Sequence, residues 1–250
     1  MHRILCLGAM LALAASEPLP ATCTVAIAAP DFGILAADCI ESYPDGSQSF
    51  ACKIRTINGL AVALAGMVFD GNTGLDLATV ATTAMTESDS PLRAADRFAA
   101  IALWEIVRSL ERQRAEAWDM WSNRLGAVLA RAIFAGVEGG RATLVLRRIG
   151  VSSDGLVKDF GSEVMVSEGT PRVGVFCEEA DALIRSDSSL KSVEPGRLAF
   201  ELIHAAVGKY DGTRSEKALE VSVIRVGKNG VKWLNIGACS DEARGAKPHL

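Results

Sequence analysis

The sequence predicts an α+β protein: two antiparallel sheets packed face to face with helices on their outer sides, a four-layer αββα sandwich. Three observations carry that expectation. Paired β-rich runs open the chain around turn residues, a long stretch of helical spacing follows, and the chain then returns to strands, a helix and a last hairpin.

The first pair of runs is Thr22 to Ala29 and Gly33 to Ala37, separated by Pro30, Asp31, Phe32 and Gly33, whose composition signals a hairpin. Phe50 to Arg55 and Leu60 to Ala65 repeat the arrangement around Asn58-Gly59, a strong short-range hairpin cue. From Asn72 to Met85 strand formers are few. Pro91 to Trp118 places Leu92, Ala95, Phe98, Ala102, Ile106 and Leu110 three or four residues apart with charges between them, so both segments are expected to be helical. Ser90 before Pro91 supplies an N-cap with proline in the first turn. Ala127 to Val137 and Ala142 to Ile149 flank a Glu138-Gly139-Gly140 turn, and a further turn stands at Ser152 to Gly155. A helix begins near Pro195 and runs to about Tyr210. Leu219 to Val226 and Val231 to Ile236 form the final hairpin around residues 227–230.

The first 21 residues read as an export signal: a basic start (Met1-His2-Arg3), an apolar run from Ile4 to Ala15, and a polar stretch ending in the small residue Ala21. A competing cut falls before Ala15. An apolar propeptide trimmed by the protein itself, or a start codon placed too early, would explain the same residues. The run is too short to span a membrane and no other apolar stretch reaches about 18 residues, so no membrane partner is expected after removal of the leader. Cleavage at Thr22 leaves 250 − 21 = 229 residues. The expectation is one domain over residues 22–238, followed by a polar tail over 239–250.

With a net charge of −4, the chain gives no reason to expect nucleic acid as a partner. The arginines of the Arg108 to Arg114 stretch alternate with Glu111 and read as a solvated helix face. Of six cysteines, Cys6 lies in the leader, leaving Cys23, Cys39, Cys52, Cys177 and Cys239. An odd number without a C-x-x-C pair argues against a zinc site and limits the chain to two bridges. Cys39 with Cys52 is the first pairing to test, against the alternative of two small buried apolar residues. His204 sits in an apolar helical stretch, so a Ser/His/Asp hydrolase lacks a well-placed base. No Gly-rich phosphate loop is present, and neither a metal nor a cofactor is expected.

A threonine that becomes residue one after cleavage brings nucleophile and base together, because its free α-amine stands beside its hydroxyl. The runs Thr22 to Ile27, Gly33 to Asp38, Cys52-Lys53-Ile54 and Leu64 to Asp70 resemble the start of a proteasome β subunit and its bacterial relatives among the N-terminal nucleophile hydrolases. That family's mature chain opens with Thr, an Ala-Ala-Asp ends sixteen residues on, a Lys follows on the next hairpin, and an Ala-Gly closes the fourth strand. Thr22 and Asp38 keep this spacing without a gap; Lys53 and Gly66 each need one deletion.

The resemblance implies Thr22 as nucleophile, its amine as base, Lys53 as the cation keeping that amine neutral, Asp38 as the partner of Lys53, and the Gly66 N–H as oxyanion donor. It implies a pocket for an apolar side chain lined by Leu64 and Val68, with Ala51 opposite and Glu41 at the rim. The family's late supporting Ser and Asp–Ser pair fall nearest to Ser167, Asp211 and Ser215, although the last spacing differs by one residue and the family's Ser-Gly-Gly is missing. Ala21 stands where self-processing relatives have glycine, which suits a signal peptidase.

Two readings follow. One is an exported threonine hydrolase cleaving peptide or other small amide bonds, without metal or cofactor. The other is a catalytically degenerate proteasome-like scaffold or binding protein. The apolar helix over 91–118, with Trp104, Trp118 and Trp121 near its end, offers a surface for a homo-oligomer.

Overall fold

The computed structural model describes residues 22–42, 48–116, 124–187, 190, 192–210, 221–237 and 239. Two five-stranded antiparallel sheets carry the fold. The first holds β1 (Thr24–Ala28), β2 (Phe32–Asp38), β12 (Arg172–Val175), β13 (Val221–Gly227) and β14 (Gly230–Asn235) in the order β12-β1-β2-β13-β14. The second holds β5 (Ile54–Ile57), β6 (Leu60–Gly66), β9 (Val128–Glu138), β10 (Arg141–Val151) and β11 (Val157–Val166) in the order β11-β10-β9-β6-β5. Two small hairpins, β3 (Ile40–Ser42) with β4 (Gln48–Phe50) and β7 (Phe69–Asp70) with β8 (Leu75–Asp76), project from these sheets.

Three cores separate four layers. Between the sheets, Ala26, Ala28, Leu35 and Ala37 of the first meet Ala61, Ala63, Ile133, Ala135, Leu144 and Leu146 of the second. The other face of the second sheet packs Leu64, Phe134 and Val145 under α1 (Leu77–Thr86) and α2 (Pro91–Glu116). The first sheet turns Val25, Ile27 and Ile34 toward α3 (Glu178–Ser186) and α4 (Pro195–Tyr210). Period-two alternation assigns each strand residue to one core or the other, so the expected layer order follows from the same apolar runs that signalled strands.

Local devices set the boundaries. Asn58 (φ 50°) and Gly59 (φ 79°) both adopt left-handed backbone, the twist that a two-residue hairpin loop needs. The Ser90 hydroxyl accepts from Arg93 N at 3.3 Å, capping α2 ahead of Pro91. The helix expected to start at Asn72 begins later, at Leu77. Asp76 caps it by accepting from Thr79 N at 3.0 Å, and β7 and β8 occupy much of the stretch before it. The run expected as one strand from Phe50 to Arg55 is broken: β4 ends at Phe50 and β5 starts at Ile54, leaving residues 51–53 outside either ladder.

The cysteine pairing expected first is not the one observed. Disulfides join Cys23 to Cys177 and Cys52 to Cys239, while Cys39 is buried outside both bridges. Ala51 N donates to Cys39 O at 2.8 Å, so Ala51 is the residue level with Cys39 and the Cys52 side chain is offset by one position. Cys39 Sγ instead lies 3.2 Å from Ser222 Oγ. Two disulfides fit an oxidising, exported setting. Among the described residues no helix is long and apolar enough to cross a membrane.

Candidate active site

Thr22 stands two residues before β1, a strand hydrogen-bonded on both sides, to β2 and β12. Its main chain is therefore guided by two ladders while its side chain is half-buried at the sheet's end. The antiparallel register Thr24↔Ala37 brings the end of β2 to the same level. Asp38 N donates to Cys23 O at 3.1 Å, and Cys23 N returns a bond to Asp38 Oδ2 at 2.5 Å. Asp38 is thus locked against the residue following Thr22.

Lys53 reaches this pair from the other sheet. It lies in the break between β4 and β5, where the backbone is released from strict alternation, and its carbonyl accepts from Leu64 N at 3.0 Å. Its ammonium donates to Asp38 Oδ1 at 2.6 Å and to Thr22 Oγ1 at 3.0 Å. Both partners of the ion pair are 7% exposed at the side chain. One carboxylate therefore uses both oxygens, one on the backbone beside Thr22 and one on the cation that touches the Thr22 hydroxyl.

Gly66 ends β6 two residues beyond Leu64, and so beyond the level of Lys53. Its φ of +89° suits glycine, and a Cβ there would lie 2.2 Å from the Leu129 carbonyl oxygen. The residue is exposed although Ala65 before it is buried, so its main chain is open to an incoming group. The segment after it is tied down. Leu77 N donates to Val68 O at 2.8 Å, and Gln113 on α2 donates to Asp70 Oδ2 at 2.8 Å. Burial pushes the Asp70 carboxyl up, but hydrogen bonds from Gln113, Thr73 and the Asn72 N–H together hold it below its ordinary value.

The remaining expected residues fare differently. Val68 and Ala51 are half-buried, and Leu64 is only 2% exposed, with its side chain in the core beneath α1 and α2. Glu41 lies on β3, its side chain outside the described residues, and Asp211 and Ser215 lie outside them altogether. Ser167 is not brought to the group. It follows Val166, which pairs with Thr143, whereas Gly66 is level with Ala130 and Ile149 at the opposite end of the same sheet. Its hydroxyl donates to Thr170 O at 2.9 Å and accepts from Gly169 N at 3.3 Å within its own turn.

The chain segment that does arrive beside Thr22 is the start of α3. Phe176 N donates to Thr24 O at 3.0 Å, and Cys177 bridges to Cys23. Sequence reasoning missed this contact, and the signal available to it was that Thr22, Asp38 and Lys53 each have a cysteine as chain neighbour: Cys23, Cys39 and Cys52. No group of three or more His, Cys, Asp and Glu among the described residues is arranged to hold a metal ion. No family model and no curated protein matches this chain.

Proposed function

We propose that this chain, cut so that Thr22 becomes its first residue, is an N-terminal nucleophile hydrolase of the proteasome-like type that cleaves peptide or other small amide bonds. The observation that carries this reading is the Lys53 ammonium held between Thr22 Oγ1 and Asp38 Oδ1. The hydroxyl, ammonium and carboxylate that meet there belong to three residues the sequence resemblance groups together, which supports the reading.

In the proposed reaction the freed α-amine takes the Thr22 hydroxyl proton as Oγ1 attacks the amide carbon. An α-amine titrates near pH 8, so it is a competent base close to neutrality, and the nearby Lys53 charge favours its neutral form. The Gly66 N–H stabilises the oxyanion, a donor worth about 2.7–4 kcal/mol in comparable sites. The protonated amine hands its proton to the leaving amine as the C–N bond breaks, leaving an ester on Oγ1. Water then attacks that ester, giving its proton to the amine, and the hydroxyl is restored on release of the acid.

The two disulfides support export as the setting, and an exported enzyme without an ATP supply suits small substrates rather than folded proteins. The placement of Ser167 favours the second reading, a scaffold that keeps the arrangement without the late supporting residues. The deciding experiment measures turnover of an activated amide by the chain beginning at Thr22, with mass spectrometry of its N-terminus. Thr22→Ala should abolish turnover with the fold retained, and Thr22→Ser should keep part of it. Equal turnover by the alanine variant and wild type would reject Thr22 as nucleophile.

A further inference from the structure

The inter-sheet core changes character at one end. On the second sheet its apolar face runs through Ala135 and Ile133 of β9 and Leu144 and Leu146 of β10. The next positions on that same face are Arg131 and Arg148, which stand directly opposite each other across the two strands. Arg131 is also level with Ala65 on β6, the residue before Gly66. A row Ala65, Arg131, Arg148 therefore crosses the sheet at the end where Gly66 is exposed and where Lys53 reaches Thr22.

Two arginines facing each other across strands repel, and like charges in that position destabilise a sheet. Both are half-buried, and among the described residues neither has a carboxylate partner. The Arg148 Nε, like that of Arg147, is buried without a hydrogen-bond partner, so the two differ in their carboxylates and not in this atom. Burial first, and the charge of Arg148 second, pull the Arg131 guanidinium below the ordinary arginine range. Their neighbour Arg147 shows what an ordinary structural arginine does here. It points to the helix side and pairs with Asp96 and with Asp159, the latter at 2.9 Å. Nothing comparable satisfies Arg131 and Arg148, although their forks provide up to ten N–H donors between them.

We propose that Arg131 and Arg148 form a carboxylate-binding subsite on the inter-sheet face of the second sheet, at its Gly66 end. The ligand is a peptide-like substrate carrying an acidic side chain or a free chain-terminal carboxylate. Naming the ligand as a substrate rests on the hydrolase reading; the anion site itself does not. A carboxylate relieves the mutual repulsion and is held through parallel N–H bonds, the geometry guanidinium groups favour. Neighbouring strands lie about 4.8 Å apart, so the two arginines sit roughly 5 and 10 Å across the sheet from the strand that carries Gly66. An extended peptide advances about 3.3 Å per residue, which places the recognised carboxylate roughly two or three residues from the bond to be cut.

The test uses the chain beginning at residue 22 with Thr22→Ala, so that binding is read without turnover. Acetylated alanine tetrapeptides carry Glu or its isostere Gln at each position in turn, with free-acid or amide ends, and affinity is measured by calorimetry. A charge-assisted bidentate contact predicts about tenfold tighter binding of one Glu peptide over its Gln partner, or of the free acid over the amide. Whichever comparison shows the gap identifies the source of the carboxylate. The gap should shrink to within about twofold in Arg131→Gln and in Arg148→Gln, and Arg148→Lys, which keeps the charge but loses the fork, should give an intermediate value. Removing one of two repelling charges should not lower the melting temperature. Equal binding of charged and neutral peptides, absence of binding included, overturns the proposal, as does a gap that survives both glutamine substitutions. A preserved gap in a protein that proves inactive with Thr22 restored sinks the hydrolase reading and leaves the carboxylate site standing.

Discussion

Asp38→Asn tests the central pair most directly. The carboxylate accepts from Lys53 at 2.6 Å and from Cys23 N at 2.5 Å, and asparagine has one acceptor oxygen, so it can serve only one of these donors. At 2.6 Å and an effective dielectric of about 20, the lost attraction between unit charges is about 6 kcal/mol. Much of that only offsets the desolvation of two charges that are 7% exposed, several kcal/mol per ion. The ammonium left behind loses its counter-charge and keeps the hydroxyl of Thr22, which offsets only part of its desolvation, and removing one partner of a buried pair typically costs about 3–5 kcal/mol. For a domain of this size that corresponds to a melting temperature lower by about 6–20 °C. Urea unfolding of wild type, Asp38→Asn, Lys53→Met and the double variant measures the cycle. The double variant should be more stable than Asp38→Asn, since it removes the orphaned charge along with the pair. A single-variant loss under about 1 kcal/mol, or a double variant no better than Asp38→Asn, refutes the argument that the buried pair holds this centre together.

Gly66→Ala should lower stability by more than the roughly 1 kcal/mol a left-handed alanine costs, because its Cβ would meet a backbone carbonyl at 2.2 Å; thermal melts that match wild type would show that β6 and β9 can separate there without penalty. Lys53→Ala, in addition to its stability cost, should move the acid limb of the pH–rate profile to higher pH: without the neighbouring cation the amine holds its proton longer, and the base is lost earlier as pH falls. An unshifted limb assigns Lys53 to structure alone. Serine at Cys23 and Cys177 should destabilise the chain by up to about 5 kcal/mol, since the bridge closes a separation of 154 residues, and an unchanged denaturation midpoint would show that the ladders alone hold the front of β1.

Much of the fold and the heart of the site were legible because their signals are local. Thr22 and Asp38 are joined by one hairpin, so strand alternation and turn residues fix their relation within a short stretch. The Asn58-Gly59 turn and the Ser90-Pro91 start are similarly self-contained. β11 escaped notice because Val157, Asp159 and Gly161 are only half-buried and alternate with exposed Lys158, Phe160 and Ser162 on an edge strand, where packing against the partner sheet is slight. β12 and α3 were hidden behind it, and with them the contact of Cys177 with Cys23. Ser167, the serine nearest the family's pattern, follows β11 at the far end of the sheet, and the segment that arrives beside Thr22 is Phe176-Cys177. The disulfide partners lie 154 and 187 residues apart, a pairing that spacing cannot encode.

The alanines between the sheets have a mechanical meaning for the site. Ala26, Ala28 and Ala37 face Ala61, Ala63 and Ala135, and at Gly33 an added Cβ would stand 2.9 Å from Leu144 Cδ1. Small side chains therefore set how thin the sandwich is, and the Lys53 side chain spans that thickness to Asp38 as a strut of limited reach. Enlarging one of these alanines acts as a wedge in a hinge: the cost of overpacking, about 1–3 kcal/mol, is relieved by spreading the sheets, and the strut is the first connection pulled out of reach. Sandwich thickness is in this sense a gauge for the Thr22–Lys53–Asp38 contact, adjustable from positions that lie outside it.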